Sequence, residues 1–154
     1  GAQLDAGADC VQLFDSWAGL VPEAEFERLV TAPTGRIVAA LRRQHPGARV
    51  IGFPRGAGAQ LARYGRETGV DAVPLDERVP LTTAQTVQAD RPVQGQLDPM
   101  RLMTGGTALE SGIARMRAAL SDGPWIANLG HGVPRGTDPE HVARFVAAVR
   151  AQQG

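Results

Sequence analysis

Five short apolar runs, each closing on residues capable of chemistry, constrain the fold of this chain more than any other feature. They are Val11 to Ser16, Val50 to Arg55, Val70 to Asp76, Val93 to Asp98, and Ile126 to Gly132. Runs of this length fit strands, and the longer stretches between them carry helical periodicity. Strands that alternate with helices pair in parallel, because a parallel neighbour needs a crossover of about a dozen residues or more. Parallel pairing puts every C-terminal strand end on one face, and in barrels of this kind that face carries the active site. Asp15, Ser16, Arg55, Asp76, Asp98 and His131 are therefore predicted to share one rim.

The intervening segments read as helices of unequal clarity. Gln3 to Ala6 resembles a helix end with Gly7 just past it. Pro22 opens a helix with Phe26, Leu29, Val30, Ile37, Val38 and Leu41 as apolar positions, which Pro33 and Gly35 are expected to break or kink. Ala59 to Thr68 forms a second helix ending at Gly69, and Leu81 to Ala89 a weaker third. A fourth runs through Leu109, Ile113, Met116, Arg117 and Leu120. The last begins at Pro139, with Thr137 or Asp138 as cap and Glu140 placed for a capping box. Its apolar stripe is Val142, Phe145, Val146 and Val149.

That makes five β/α units in one domain spanning residues 1–154. An eight-unit barrel usually takes ~250 residues. Five parallel strands could form an open sheet, but the first residues look like the tail of an earlier helix. The expected fold class is α/β, the C-terminal part of a (β/α)8 TIM barrel.

Charge and cysteine content narrow the function. Sixteen basic residues balance sixteen acidic ones, so no basic footprint points to nucleic acid. No apolar stretch approaches the ~18 residues of a membrane span, and the N-terminus lacks a secretory signal pattern. With Cys10 the only cysteine, paired-cysteine metal sites and disulfide frameworks are excluded and zinc is disfavoured. A cytoplasmic location is expected. All sixteen basic residues are arginine and Asn128 is the sole asparagine. A GC-rich coding bias accounts for this, as would a need for arginine forks on carboxylates.

Among single residues, His131 stands out. It lies between Gly130 and Gly132 after a strand, where packing is an unsuitable job for it and backbone approaches a ligand closely. His45 before Pro46 reads as a helix-end residue, and His141 as a solvated first-turn residue. Asp15-Ser16, Asp76 and Asp98-Pro99 read on their own as turn or helix-start chemistry. Gly52-Phe53-Pro54-Arg55-Gly56-Ala57-Gly58 is glycine-rich but matches neither phosphate-loop pattern. Ser16 lacks a nucleophile-elbow setting.

Together the motifs resemble the uroporphyrinogen decarboxylase family. The segments that carry the resemblance are Gly7-Ala8-Asp9 through Val11-Gln12-Leu13-Phe14-Asp15-Ser16-Trp17-Ala18-Gly19, then Ile51 to Gly56, then Gly95-Gln96-Leu97-Asp98-Pro99. Most specific are Asn128-Leu129-Gly130-His131-Gly132 and Asp138-Pro139-Glu140-His141-Val142. The resemblance implies a (β/α)8 barrel, a cytoplasmic homodimer, and a substrate, uroporphyrinogen III, whose four acetates become methyl groups to give coproporphyrinogen III. It implies no metal and no organic cofactor, since a protonated pyrrole serves as the electron sink. It also implies roles: Ser16 contacting a substrate carboxylate, His131 a propionate, Phe14 and Phe53 as apolar walls, and Arg55 at a position often basic in bacterial members.

Glu77 stands where the family commonly has Trp, and Gln96 where it usually has Asn, which bears on local packing. The match covers the C-terminal portion of the family's chain. The family's arginine-rich motif, its ring-nitrogen-binding aspartate and a substrate-contacting tyrosine belong to the portion upstream. The main catalytic groups are therefore expected outside this sequence, which reads as a truncated barrel, inactive alone. Two other readings remain. One is a non-catalytic fragment binding porphyrinogen or a partner chain. The other is a corrinoid-dependent methyltransferase relative, disfavoured because Val50 to Gly56 lacks that group's His-x-Cys motif.

Overall fold

The computed structural model describes residues 1–151. After a short helix α1 (Ala2–Asp5), strand β1 (Cys10–Asp15) pairs in parallel with β2 (Arg49–Pro54), placing Phe14 opposite Phe53 and Asp15 opposite Pro54. Strands β3 (Val73–Pro74), β4 (Val93–Gln94) and β5 (Trp125–Ile126) form a second parallel ladder in that order. A parallel bridge between Ile51 and Ala72, with the Gly52 N–H donating to the Ala72 carbonyl at 3.1 Å, joins the two ladders. The five strands thus follow one another in chain order, each separated from the next by helix.

The last three strands are shorter than the predicted runs. Val70 to Asp76 contracts to two residues, Val93 to Asp98 to two, and the predicted strand Ile126 to Gly132 becomes Trp125–Ile126. Beyond these points the chain bends, and only isolated contacts such as the Leu97–Leu129 bridge continue the ladder. The bending brings loop residues toward the sheet's inner side. The sheet is strongly curved: the Gln94 side-chain amide on β4 donates to the Gln12 side-chain oxygen on β1 at 3.2 Å. In a flat sheet, strands three places apart are separated by ~14 Å, beyond direct pairing of two glutamines.

Helices cover the outer side. Of the expected break or kink at Pro33 and Gly35, no break occurs in the segment from Glu23 to Gln44, and the distortion takes the form of a widened turn just ahead of the proline. The segment runs as α2 (Glu23–Phe26), a wide π-type turn (Glu27–Thr31) and α3 (Ala32–Gln44), without interruption. Pro33 falls in the first turn of α3, where its missing N–H costs little, and the π turn accommodates its ring. The Thr34 hydroxyl donates to the Val30 carbonyl at 2.8 Å, supplying a donor beside the proline. The helices α4 (Leu61–Thr68), ending at Gly69, and α5 (Leu81–Gln88) match the sequence reading closely. Helix α6 (Pro99–Thr104) is additional. It starts at Asp98, whose carboxylate accepts the Met100 N–H at 2.9 Å, and it leads into α7 (Gly106–Leu120).

Leu61, Leu75, Val73, Val93, Leu102, Leu109 and Leu120 are fully buried between sheet and helices. Each contributes about 1.5–3 kcal/mol relative to exposure. Tyr64 is buried among them, and burial pushes its phenol up to about 12.

Helix α8 (Pro139–Arg150) departs from expectation in three ways. Asp138 is the cap, accepting the Glu140 N–H at 2.9 Å, while the Thr137 hydroxyl donates to the Pro134 carbonyl, so the predicted capping box does not form. The apolar stripe is split: Phe145 packs on the core, whereas Val142 and Val146 are exposed. His141 is partly buried rather than simply solvated. Its Nδ1 lies 2.9 Å from the Leu102 carbonyl, tying α8 to α6. His45 faces Asp5 at 3.6 Å rather than serving helix-end carbonyls with its ring. No helix among the described residues is long and apolar enough to cross a membrane.

Candidate functional site

The loops after the first three strands are stitched together before any functional side chain is considered. The Arg55 N–H donates to the Asp15 carbonyl at 3.0 Å, and the Arg55 carbonyl accepts from Gly19 N–H at 2.9 Å. Gly19 and Gly56 pack back to back, so closely that a Cβ on Gly19 would fall 2.7 Å from the Gly56 backbone. Asp76, 3% exposed, then ties the second loop to the third. Its carboxylate accepts the Gly56 N–H at 2.8 Å and the Arg78 N–H at 3.0 Å, with the Arg78 guanidinium 3.5 Å away. The loop after β5 joins by close approach, since Gly130 sits directly on the main chain of Asp76 and Glu77 and leaves no space for a side chain.

This frame surrounds a cavity of about 380 Å³ at the C-terminal strand ends. Gln12, Phe14 and Ser16 line it from β1 and its loop, Phe53 from β2, Gln94 from β4, and Asn128 to Val133 from the loop after β5. Phe14 and Phe53 meet edge to face, their centroids 6.2 Å apart. Phe53 is buried, whereas Phe14 is 71% exposed and turned to the open side. Ser16 and His131 are both solvent-accessible.

Four of the five expected site residues, Phe14, Ser16, Phe53 and His131, therefore border one cavity. Arg55 does not. Its guanidinium is drawn to Glu77, 3.6 Å away, with both side chains largely covered. The three aspartates have structural partners: Asp15 accepts the Trp17 N–H at 3.1 Å, Asp98 caps α6, and Asp76 joins two loops. Glu77 and Gln96, the family departures, both enter packing contacts. Gln96 is buried and donates to the Val79 carbonyl.

Sequence reasoning passed over Gln12 and Gln94, which meet across the cavity floor, and Asn128. The signal was present as alternation: Val11-Gln12-Leu13 and Val93-Gln94 place a polar residue on the face opposite the core. Chemically, the cavity offers a hydroxyl, an imidazole and amides against two aromatic walls, a combination suited to a flat apolar ligand with anionic or carbonyl edges. Among the described residues, no group of three or more His, Cys, Asp or Glu stands together as a metal site would require.

A family model described as "Uroporphyrinogen decarboxylase (URO-D)" matches residues 1–152. A "Uroporphyrinogen decarboxylase" of Sinorhizobium fredii is 52% identical over 153 residues, covering 99% of this chain and 44% of that protein. The protein of the same description from Agrobacterium fabrum is 50% identical over 153 residues, with the same coverage. Its counterpart from Rhodospirillum rubrum is 52% identical over 151 residues, 97% of this chain and 43% of that protein. The chain thus spans somewhat less than half the length of the curated relatives it matches.

Proposed function

The chain belongs to the uroporphyrinogen decarboxylase family, and we propose that the complete protein containing it removes the four acetate carboxyl groups of uroporphyrinogen III to yield coproporphyrinogen III. The observation that carries this reading is the single cavity bordered by Ser16, His131, Phe14 and Phe53, built by residues distant in sequence. In this reading the five units form the C-terminal part of a closed (β/α)8 barrel in a cytoplasmic homodimer, and Gln94 reaching Gln12 supports the necessary curvature.

The chemistry asks little covalent work of the protein. Protonation of a pyrrole carbon creates a cation that accepts the electron pair as carbon dioxide leaves; a proton then adds to the exocyclic methylene carbon and the ring proton departs, so the methyl group forms with no metal or organic cofactor. The protein must hold carboxylates, exclude water and stabilise the developing charge. Phe14 and Phe53 supply the apolar walls. Ser16 and His131 donate hydrogen bonds to substrate carboxylates, the imidazole more strongly when protonated. The group that supports the ring cation belongs to the portion of the family outside these 154 residues.

The test is anaerobic incubation of the complete protein with uroporphyrinogen III, followed by separation of products by carboxyl number. Stepwise loss to the four-carboxyl product without added cofactor is expected. Unchanged octacarboxylate, or activity abolished by a chelator, would overturn the reading.

A further inference from the structure

Arg55 is launched toward the cavity yet does not reach it. It continues the β1–β2 ladder through the Asp15 carbonyl, so by strand alternation it follows Phe53 on the cavity side. Its main chain is held at both ends, by Asp15 and Gly19, so any movement of the guanidinium is confined to the side chain. The guanidinium instead rests beside Glu77, on a backbone that Gly130 and the Asp76 turn keep equally fixed.

The pair is poorly made. Nη2 and Oε1 are 3.6 Å apart, beyond hydrogen-bond reach, and Arg55 Nε and Glu77 Oε2 are both buried without a partner. A well-made arginine–carboxylate pair frequently closes to a bidentate fork, which this geometry does not reach. Buried polar groups left unpaired carry a desolvation cost, which favours any arrangement that satisfies them.

We infer that Glu77 is an internal competitor for Arg55, holding the guanidinium away from the cavity until a carboxylate of the ligand displaces it. The inference rests on the polycarboxylate reading above and adds a specificity-determining residue to it. A ligand rich in carboxylates wins the exchange, because one of its groups takes a full fork with Arg55. A ligand with half as many competes less well, so Glu77 weakens retention of the decarboxylated product.

The test uses the complete protein and measures binding of uroporphyrin, the stable oxidised octacarboxylate, by its fluorescence, alongside turnover. Glu77→Gln keeps the shape and removes the charge, and should bind roughly two- to fivefold more tightly, the scale of a partly exposed ion pair. The gain should vanish when Arg55→Ala is combined with it, which separates competition for Arg55 from general relief of negative charge. In turnover, Glu77→Gln should lower KM and kcat together, and Glu77→Asp, which keeps the charge, should not tighten binding. Unchanged or weaker binding by Glu77→Gln, or an equal gain in the Arg55→Ala background, would overturn the inference. If that happens while the wild type decarboxylates normally, the functional reading stands without the competitor. Coupled binding changes in a protein that does not decarboxylate would keep the competitor and refute the activity.

Discussion

Asp76 carries the connection between the second and third loops, and its replacement by asparagine has a calculable cost. The carboxylate is almost fully buried and accepts two backbone N–H groups, from Gly56 and Arg78, at 2.8 and 3.0 Å. Asparagine preserves the shape but offers one carbonyl oxygen, so its NH2 must face one of these donors. A hydrogen bond to a charged group is worth about 1.5–3 kcal/mol net, and the stranded donor adds a desolvation cost. The neutral amide recovers some of this, because burying a carboxylate is itself unfavourable. The balance predicts a loss of about 2 kcal/mol in the complete protein, read by urea-induced unfolding. The effect should also be local: if the amide opens at Gly56, its hydrogen exchange should accelerate about thirtyfold, the factor matching that energy. A variant within about 0.5 kcal/mol of wild type, with Gly56 exchange unchanged, would refute the assignment of Asp76 as the tie between loops.

Three further outcomes are expected. His131→Ala in the complete protein should weaken turnover about ten- to a hundredfold, the loss of one hydrogen bond to a charged group, with melting nearly unchanged because the side chain is exposed; a large fall in melting temperature with normal kinetics would contradict it. For Asp71, burial alone would raise the carboxyl, but the Val50 N–H at 2.8 Å and the Arg42 guanidinium at 3.0 Å hold it below the usual range. Its stabilisation is complete above about 3.9, the unfolded value, and disappears as pH falls through the lowered folded value. Comparing wild type with Asp71→Asn across that window should show the stability gap closing downward, and a constant gap would exclude the ion pair as its source. The isolated 154-residue chain should release no appreciable four-carboxyl product in the anaerobic assay, since loss of one preorganised charge-stabilising group commonly costs ~10²–10³ in rate; robust product would show that the groups needed lie within this segment.

The sequence made the alternation of strands and helices legible because α4, α5 and α7 bury apolar positions on one face and β1 to β4 end at or beside aspartate, proline or glycine. Helix α4 closed at Gly69, and α5 at the end of its polar run, where the pattern placed them. The short lengths of β3, β4 and β5 were not legible, because an apolar run reads the same whether its backbone pairs or bends. The form of the distortion ahead of Pro33 was not legible for a different reason. A proline is incompatible with an ordinary α-helix interior, but the π turn ahead of it is stabilised by tertiary packing of Phe26 and Val30, which local sequence does not display. His141 looked solvated for the same reason: its partner, the Leu102 carbonyl, lies 39 residues away. At the site, spacing identified the strand-end residues, but not that Glu77 would draw Arg55 aside.

The arrangement separates a frame from the groups it presents, and this separation has consequences. Asp76, Gly19, Gly56 and Gly130 hold four loops in register through buried hydrogen bonds and backbone contacts that admit little change. Ser16 and His131 project from that frame without being needed by it, which is why both are exposed. Substitutions in the frame should therefore lower stability and turnover together, while substitutions of the projecting side chains should lower turnover alone. Arg55 stands between the two classes, with its main chain in the frame and its guanidinium beside Glu77. Replacing that side chain should change how strongly carboxylates are held, at a stability cost from leaving the largely covered Glu77 carboxylate without its cation.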